Sequence, residues 1–406
     1  MIESRHRALF LTLFATFVIF GTSMTVIGAT LPKILTSFGW SYVVAGVVLA
    51  ANSIAYFSFT LVAGHLVKRW GPRRTIAAGM GIVALGLAFF AGTPDPVINT
   101  GLGVLMGIGQ GCIELTVNWS TLQLDTRRSG RPMNLMHGAF AVGAILGPLA
   151  LGALLALGFD WIAIYRGMSG IFGLLGLWYL RVPMRLDAAP LPGGAEARTS
   201  PPARLSAHPA YWLSFLALFL YVGVEIGLSN WIAQYFVVVF AYPVADSALL
   251  VSLFWAGLLA GRFGVPMFYR GNRQDLTLLG TSALATLSII GLCLLGLVPP
   301  GPVVLALALG LVALSGLGCS IYYPEVITLL GQVFPRAQSQ AIAFAATGGG
   351  VGAFVFPFLM SALAQGWGLS LGFATYAVFG TAMTAAALGL IRSARHDRPP
   401  GAVSQP

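Results

Sequence analysis

Residues 107–124 read GIGQGCIELTVNWSTLQL. The stretch is apolar and glycine-rich enough to cross a lipid bilayer, yet a carboxylate sits at its centre. Gln110, Glu114 and Asn118 follow one another at i, i+4 and i+8, which on a helix places all three on one face. A charged side chain at bilayer depth costs roughly 2.5–3.5 kcal/mol even on lenient insertion scales. It therefore faces a protein interior or a water-filled cavity, and this polar stripe is where chemistry is expected. The competing reading is an acid that only ties neighbouring helices together.

The surrounding composition agrees with a membrane setting. Of 406 residues, 57% are hydrophobic and only 8% are charged, against about 25% charged in soluble domains. The mean hydropathy of +0.85 is too high for one globular core. The net charge of +10 does not mark a nucleic-acid binder, because the basic residues lie in short loops between apolar spans. Cys112, Cys293 and Cys319 all fall inside such spans. They form neither a disulfide framework nor a metal-binding pattern, and no metal or cofactor is expected. The basic start MIESRHR resembles a secretion signal, but the apolar run behind it continues to Leu31, too long for a signal core. It reads as a retained first helix.

A spanning helix needs about 20 apolar residues. Twelve such spans are expected, over 8–34, 42–67, 74–92, 98–123, 132–157, 161–181, 209–238, 244–269, 274–297, 301–330, 339–365 and 368–392. A Pro-, Gly- and Ala-rich linker at 182–208 divides them six and six, giving a bundle over 1–181 and another, with a short tail, over 209–406. Of the 22 Lys and Arg, 19 collect on one side of this arrangement; Lys33 alone lies on the other, and Arg166 and Arg262 lie within helices. The positive-inside rule then makes both termini and the linker cytoplasmic, with the chain a monomer in the inner membrane of a bacterium.

The halves repeat. Gly111-Cys112 in the fourth span is matched by Gly318-Cys319 in the tenth, 207 residues on, and AVGAILGPL (141–149) by GVGAFVFPF (350–358), 209 residues on. Two weakly similar six-helix halves mark a transporter whose solute sits between them.

Over essentially its whole length the chain resembles the major facilitator superfamily. The segment GHLVKRWGPRR, Gly64 to Arg74, is similar to that superfamily's loop motif Gly-x3-Asp-Arg-x-Gly-Arg-x-x-Arg. Gly64, Arg69 and Gly71 match, Arg73 or Arg74 supplies the later base, and Lys68 replaces the usual Asp. The resemblance implies a gating role for Arg69 and Arg73; without it, Gly71-Pro72 is a turn flanked by bases. Within the superfamily, CIELTVN (112–118), MNLMHGAFAVGAILGPL (133–149) and YVGVEIGLSNWI (221–232) resemble the fucose–galactose–glucose/proton symporter group. That likeness implies that Glu114 and Asn118 serve proton coupling and sugar contact. The group's acid in the first span, four residues before the proline that ends it, falls on Gly28, counting back from Pro32; this chain lacks it.

Read from the residues themselves, Glu114 can exchange a proton or accept hydrogen bonds from hydroxyls, and Asn118 offers a donor and an acceptor. Asn134 and His137 follow on the fifth span, His137 either as a second titrating group or as packing. Glu225 on the seventh span is the second intramembrane acid and a further coupling candidate. Tyr221, Asn230 and Trp231 near it would supply polar groups and an aromatic plate for a sugar. Gly223 and Gly227 would let that helix bend or unwind. Arg262 and Glu325 are read as gate partners.

The expectation is a secondary active transporter, not an enzyme: no P-loop, GxSxG or HExxH is present. It would carry a small polar solute, a sugar, in symport with a proton or sodium. The rivals are proton-coupled efflux of amphipathic compounds and a nutrient sensor on a transporter fold. Gly143-x3-Gly147-Pro148 is similar to part of the drug-exporter motif, although Asn134 stands where that motif begins with Gly.

Overall fold

A computed structural model of the chain describes residues 6–125, 131–182, 184, 205–268, 274–335 and 337–396. Most of the expected linker lies outside the described residues, as do ten of the loop bases, from Arg5 to Arg398. The described residues form thirteen α-helices: α1 (Arg7–Phe38), α2 (Tyr42–Trp70), α3 (Pro72–Phe89), α4 (Pro96–Leu124), α5 (Arg131–Ala156), α6 (Trp161–Tyr179), α7 (Pro209–Val239), α8 (Ala248–Phe268), α9 (Gln274–Leu295), α10 (Pro302–Cys319), α11 (Tyr322–Val333), α12 (Gln338–Trp367) and α13 (Leu369–His396). Ten stretches are long and apolar enough to cross a membrane, α10 and α11 together making one of them. With α3 and α6, of 18 and 19 residues, they make twelve spans.

Local chemistry sets the boundaries, and several depart from expectation. α1 does not end near Pro32 but runs through it to Phe38. Pro32 forfeits one backbone bond, while Gly39, at φ 64, supplies the left-handed cap whose N–H reaches Leu35 O at 3.0 Å. The segment Gly64–Arg74 is no extended loop. Gly71 alone, at φ 80 and ψ 161, separates α2 from α3, with Pro72 opening the next helix. Lys68 and Arg69 lie in the last turn of α2, at the negative end of its dipole. At the start of α4, Asp95 accepts hydrogen bonds from the backbone of Val97 and Ile98, at 2.7 and 3.1 Å.

The seventh span does not unwind. α7 is continuous, and its glycines receive aromatic side chains instead: a Cβ at Gly223 would lie 2.5 Å from the Phe356 ring, and one at Gly227 would lie 2.4 Å from that of Tyr376. The interrupted span is the tenth, between Cys319 and Tyr322.

The chain divides into two compact units. One holds the described residues of Met1–Leu191, Ile232–Val237 and Tyr242–Ser252; the other holds those of Pro192–Trp231, Val238–Ala241 and Leu253–Pro406. Inside the first, α3 packs on α4 and α6; inside the second, α9 packs on α10 and α13. The third and ninth spans thus have corresponding partners, as the repeat requires. The matched glycines show the same: a Cβ at Gly143 on α5 would lie 1.7 Å from Val18 O on α1, and one at Gly352 on α12 would lie 2.0 Å from Phe219 O on α7. Small residues are what let backbones meet where lipid gives no hydrophobic drive.

Gly143→Ala and Gly352→Ala should therefore each lower stability by about 1–3 kcal/mol, the usual range for overpacking, in thermal unfolding of the detergent-purified protein. A wild-type melting curve for either variant would show that its helix pair is free to part.

Candidate functional site

In the first unit, α2 and α4 run side by side in constant register. A Cβ at Gly103 would lie 3.4 Å from Val48 O, one at Gly107 would lie 2.3 Å from Asn52 O, and one at Gly111 would lie 2.6 Å from Tyr56 O. Each pair is 55 residues apart in sequence. This glycine ladder brings the backbones together and, beside it, carries a polar ladder. Asn52 Nδ2 donates to Gln110 Oε1 at 3.1 Å and to Gly103 O at 2.9 Å, and one turn on the Tyr56 hydroxyl donates to Glu114 Oε2.

Burial separates the members of the stripe. Gln110 is 2% exposed, and its Nε2 donates to Ser23 Oγ on α1 at 3.4 Å, so it ties three helices together. Glu114, Tyr56 and Asn118 are half-buried. The Asn118 Oδ1 atom is itself buried and has no hydrogen-bond partner. Phe20 on α1 flanks the pair, its ring 6.4 Å from that of Tyr56 and 5.6 Å from that of Phe140.

In the second unit, Glu225 is 8% exposed and Asn230 7%, while Trp231 has no exposed surface. Arg262 on α8 donates through Nε to Ser320 O at 3.3 Å. Trp255 Nε1 donates to Ser229 Oγ at 2.9 Å.

A twelve-span chain with an intramembrane acid in each repeated half invites comparison with known carriers. The family model described as Major Facilitator Superfamily matches residues 13–313. The chain belongs to the Major Facilitator Superfamily. Bypass of stop codon protein 6 of Saccharomyces cerevisiae is 22% identical over 381 residues, 87% of this chain and 76% of that protein. The glucose/mannose transporter GlcP of Bacillus subtilis is 22% identical over 242 residues, 58% of this chain and 59% of its own. Among solved structures, a bacterial homolog of the human lysosomal transporter Spinster aligns with a TM-score of 0.76 at 15% identity, covering 99% of this chain and 100% of that one. A D-xylose–proton symporter aligns with a TM-score of 0.71 at 16% identity, covering 94% and 96%. Those two show the fold.

On this superfamily scaffold the residues singled out from sequence fall into distinct places. Glu114 and Gln110 join Tyr56, Asn52 and Ser23, with Asn118 one turn further along α4. Asn134 and His137 are exposed on α5, and the His137 ring lies 6.4 Å from that of Phe17 on α1. Arg69 and Arg73 are exposed at the α2–α3 turn. Glu325 is half-buried on α11 and accepts from Thr277 Oγ1 at 3.5 Å. At the start of α9 and the end of α13, Asp275 and Arg395 form an ion pair that sequence reading did not single out.

Sequence reading also missed Asn52 and Tyr56. The signal was there: they stand at i, i+4 in the second span, the spacing of Gln110 and Glu114 in the fourth, and the two ladders meet 58 residues apart.

A double-mutant cycle tests the pair. Tyr56→Phe and Glu114→Ala should each change stability, and their effects should fail to add by about 1 kcal/mol. Additive losses in thermal unfolding would show that the two side chains do not interact.

Proposed function

We propose that this chain is a secondary active transporter that carries a sugar by alternating access, in symport with protons. The observation that carries the reading is the half-buried Tyr56–Glu114 pair beside Asn118. A carboxylate, an amide and a phenol offer donors and acceptors in the pattern that sugar hydroxyls match. The Phe20 ring beside Tyr56 adds apolar surface of the kind the C–H face of a sugar prefers. The likeness to a glucose/mannose transporter and the resemblance of 112–118, 133–149 and 221–232 to the sugar symporter group support the same class. In this reading the moving bodies are the six-span halves, 1–181 and 209–406, with both termini cytoplasmic and the membrane a bacterial inner membrane.

Glu114 carries the coupling proton. Gly28 offers no acid in α1, so the first unit has no second carboxylate on that span. Asn118, Asn134, His137, Glu225, Asn230 and Trp231 complete the proposed solute path, with Gln110 holding the ladder in place. Arg69, Arg73, Arg262 and Glu325 act in gating.

Purified protein in proteoliposomes should catalyse counterflow of D-glucose or D-mannose, and an inward proton gradient should drive accumulation. Glu114→Gln keeps shape and hydrogen bonding but cannot change charge. It should abolish gradient-driven accumulation while leaving counterflow measurable. Accumulation by the Gln variant at the wild-type level would remove Glu114 as the coupling residue. Sodium-driven uptake, or export of ethidium with no sugar counterflow, would replace this reading with sodium symport or with efflux.

A further inference from the structure

The tenth span is broken where a proline removes one backbone bond. α10 stops at Cys319, α11 starts at Tyr322, and Pro324 stands in the first turn of α11. In an unbroken helix the N–H of residue 324 would donate to the carbonyl of residue 320. Proline has no N–H, and its ring crowds that same carbonyl. Ser320 O is therefore left without its helical donor, on a residue with no exposed surface. The neighbouring backbone closes as far as it can: Ser320 N reaches Leu317 O at 3.2 Å and Glu325 N reaches Ile321 O at 3.0 Å.

Another helix supplies the missing donor. Arg262 Nε lies 3.3 Å from Ser320 O. α8 comes this close because residue 261 is glycine: a Cβ there would lie 2.4 Å from Ser320 Oγ and 2.9 Å from Leu317 O. From α7, the Tyr221 ring stacks on that of Tyr322, with centroids 5.0 Å and planes 8° apart. The Tyr322 hydroxyl in turn donates to Met383 O at 2.8 Å. One guanidinium thus meets the orphaned backbone carbonyl where three helices converge on the break.

We propose that Arg262 is the positioning residue of the tenth-span break: it replaces the bond that Pro324 cannot make, beside the Tyr221–Tyr322 stack that joins α7 to the break. Arg262 is then the pin of a joint, a role that stands whether or not the chain carries a sugar.

Amide hydrogen exchange on the full chain in detergent, read over Ile321–Leu330 with no solute present, tests this. R262A should speed exchange in that segment about tenfold, in keeping with a lost charge-assisted hydrogen bond. P324A returns an N–H to the helix, so the double variant R262A/P324A should exchange at the wild-type rate or slower. A residue that merely packs would leave a loosened segment that P324A does not repair. Wild-type exchange in R262A, or a double variant as fast as R262A, would overturn the capping role. Should R262A not purify, the double variant must, or the capping role is likewise lost. None of these outcomes depends on which solute is carried.

Discussion

The close approach of α2 to α4 is the constraint on which the first unit's chemistry rests. Lipid tails are as apolar as leucine, so helices in a membrane gain little from hiding apolar faces against one another. What holds them is van der Waals contact and hydrogen bonding, both of which need short distances. Gly107 and Gly111 remove the Cβ atoms that would otherwise lie 2.3 and 2.6 Å from carbonyl oxygens on α2. The same register that lets glycine meet backbone delivers Gln110 to Asn52 and Glu114 to Tyr56. A separation greater by one or two ångströms would take both pairs outside hydrogen-bonding range. The glycines make no chemistry, but the polar ladder exists only at the spacing they set.

Along that ladder, exposure separates fixed from exchangeable bonds. Gln110, almost fully buried, bonds to Asn52 and Ser23; breaking those bonds would leave buried polar atoms unpaired, which costs more than the bonds themselves contribute. Glu114 and Tyr56 are half-buried. Their bond can be traded for one to water or to a solute hydroxyl at small net cost, because each partner finds a replacement. An i, i+4, i+8 stripe that looks uniform in sequence is therefore a buried structural anchor at one end and a part-exposed hydrogen-bonded pair in the middle.

Much of this was legible from residues alone. Twelve apolar stretches read as twelve spans because the bilayer fixes their length, and Glu114 stood out because a charge in such a stretch is costly. The repeat also read correctly, since Gly143 and Gly352 answer the same packing demand in each half. Asn52 and Tyr56 were harder to see: an amide and a phenol in an apolar span carry no charge and look ordinary until the fourth span is laid beside them. The glycines of α7 were ambiguous for a related reason. A glycine in an apolar helix signals room, and room serves an incoming ring of Phe356 or Tyr376 as readily as a bend. Proline is less ambiguous only where something else provides for the carbonyl it strands. Pro32 leaves α1 unbroken, whereas at Pro324 the span parts and an arginine from α8 caps the exposed oxygen.

The two intramembrane acids have unlike settings. Glu114 is half-buried and meets the neutral hydroxyl of Tyr56. Adding a proton to it removes a charge without stranding a counterion in that bonded pair. Glu225 is 8% exposed, so any proton it exchanged would have to pass packed side chains. Under the proposed proton symport, that difference in access makes Glu114 the candidate coupling group. It leaves Glu225 beside the tenth-span joint, one turn along α7 from the Tyr221 ring that stacks on Tyr322.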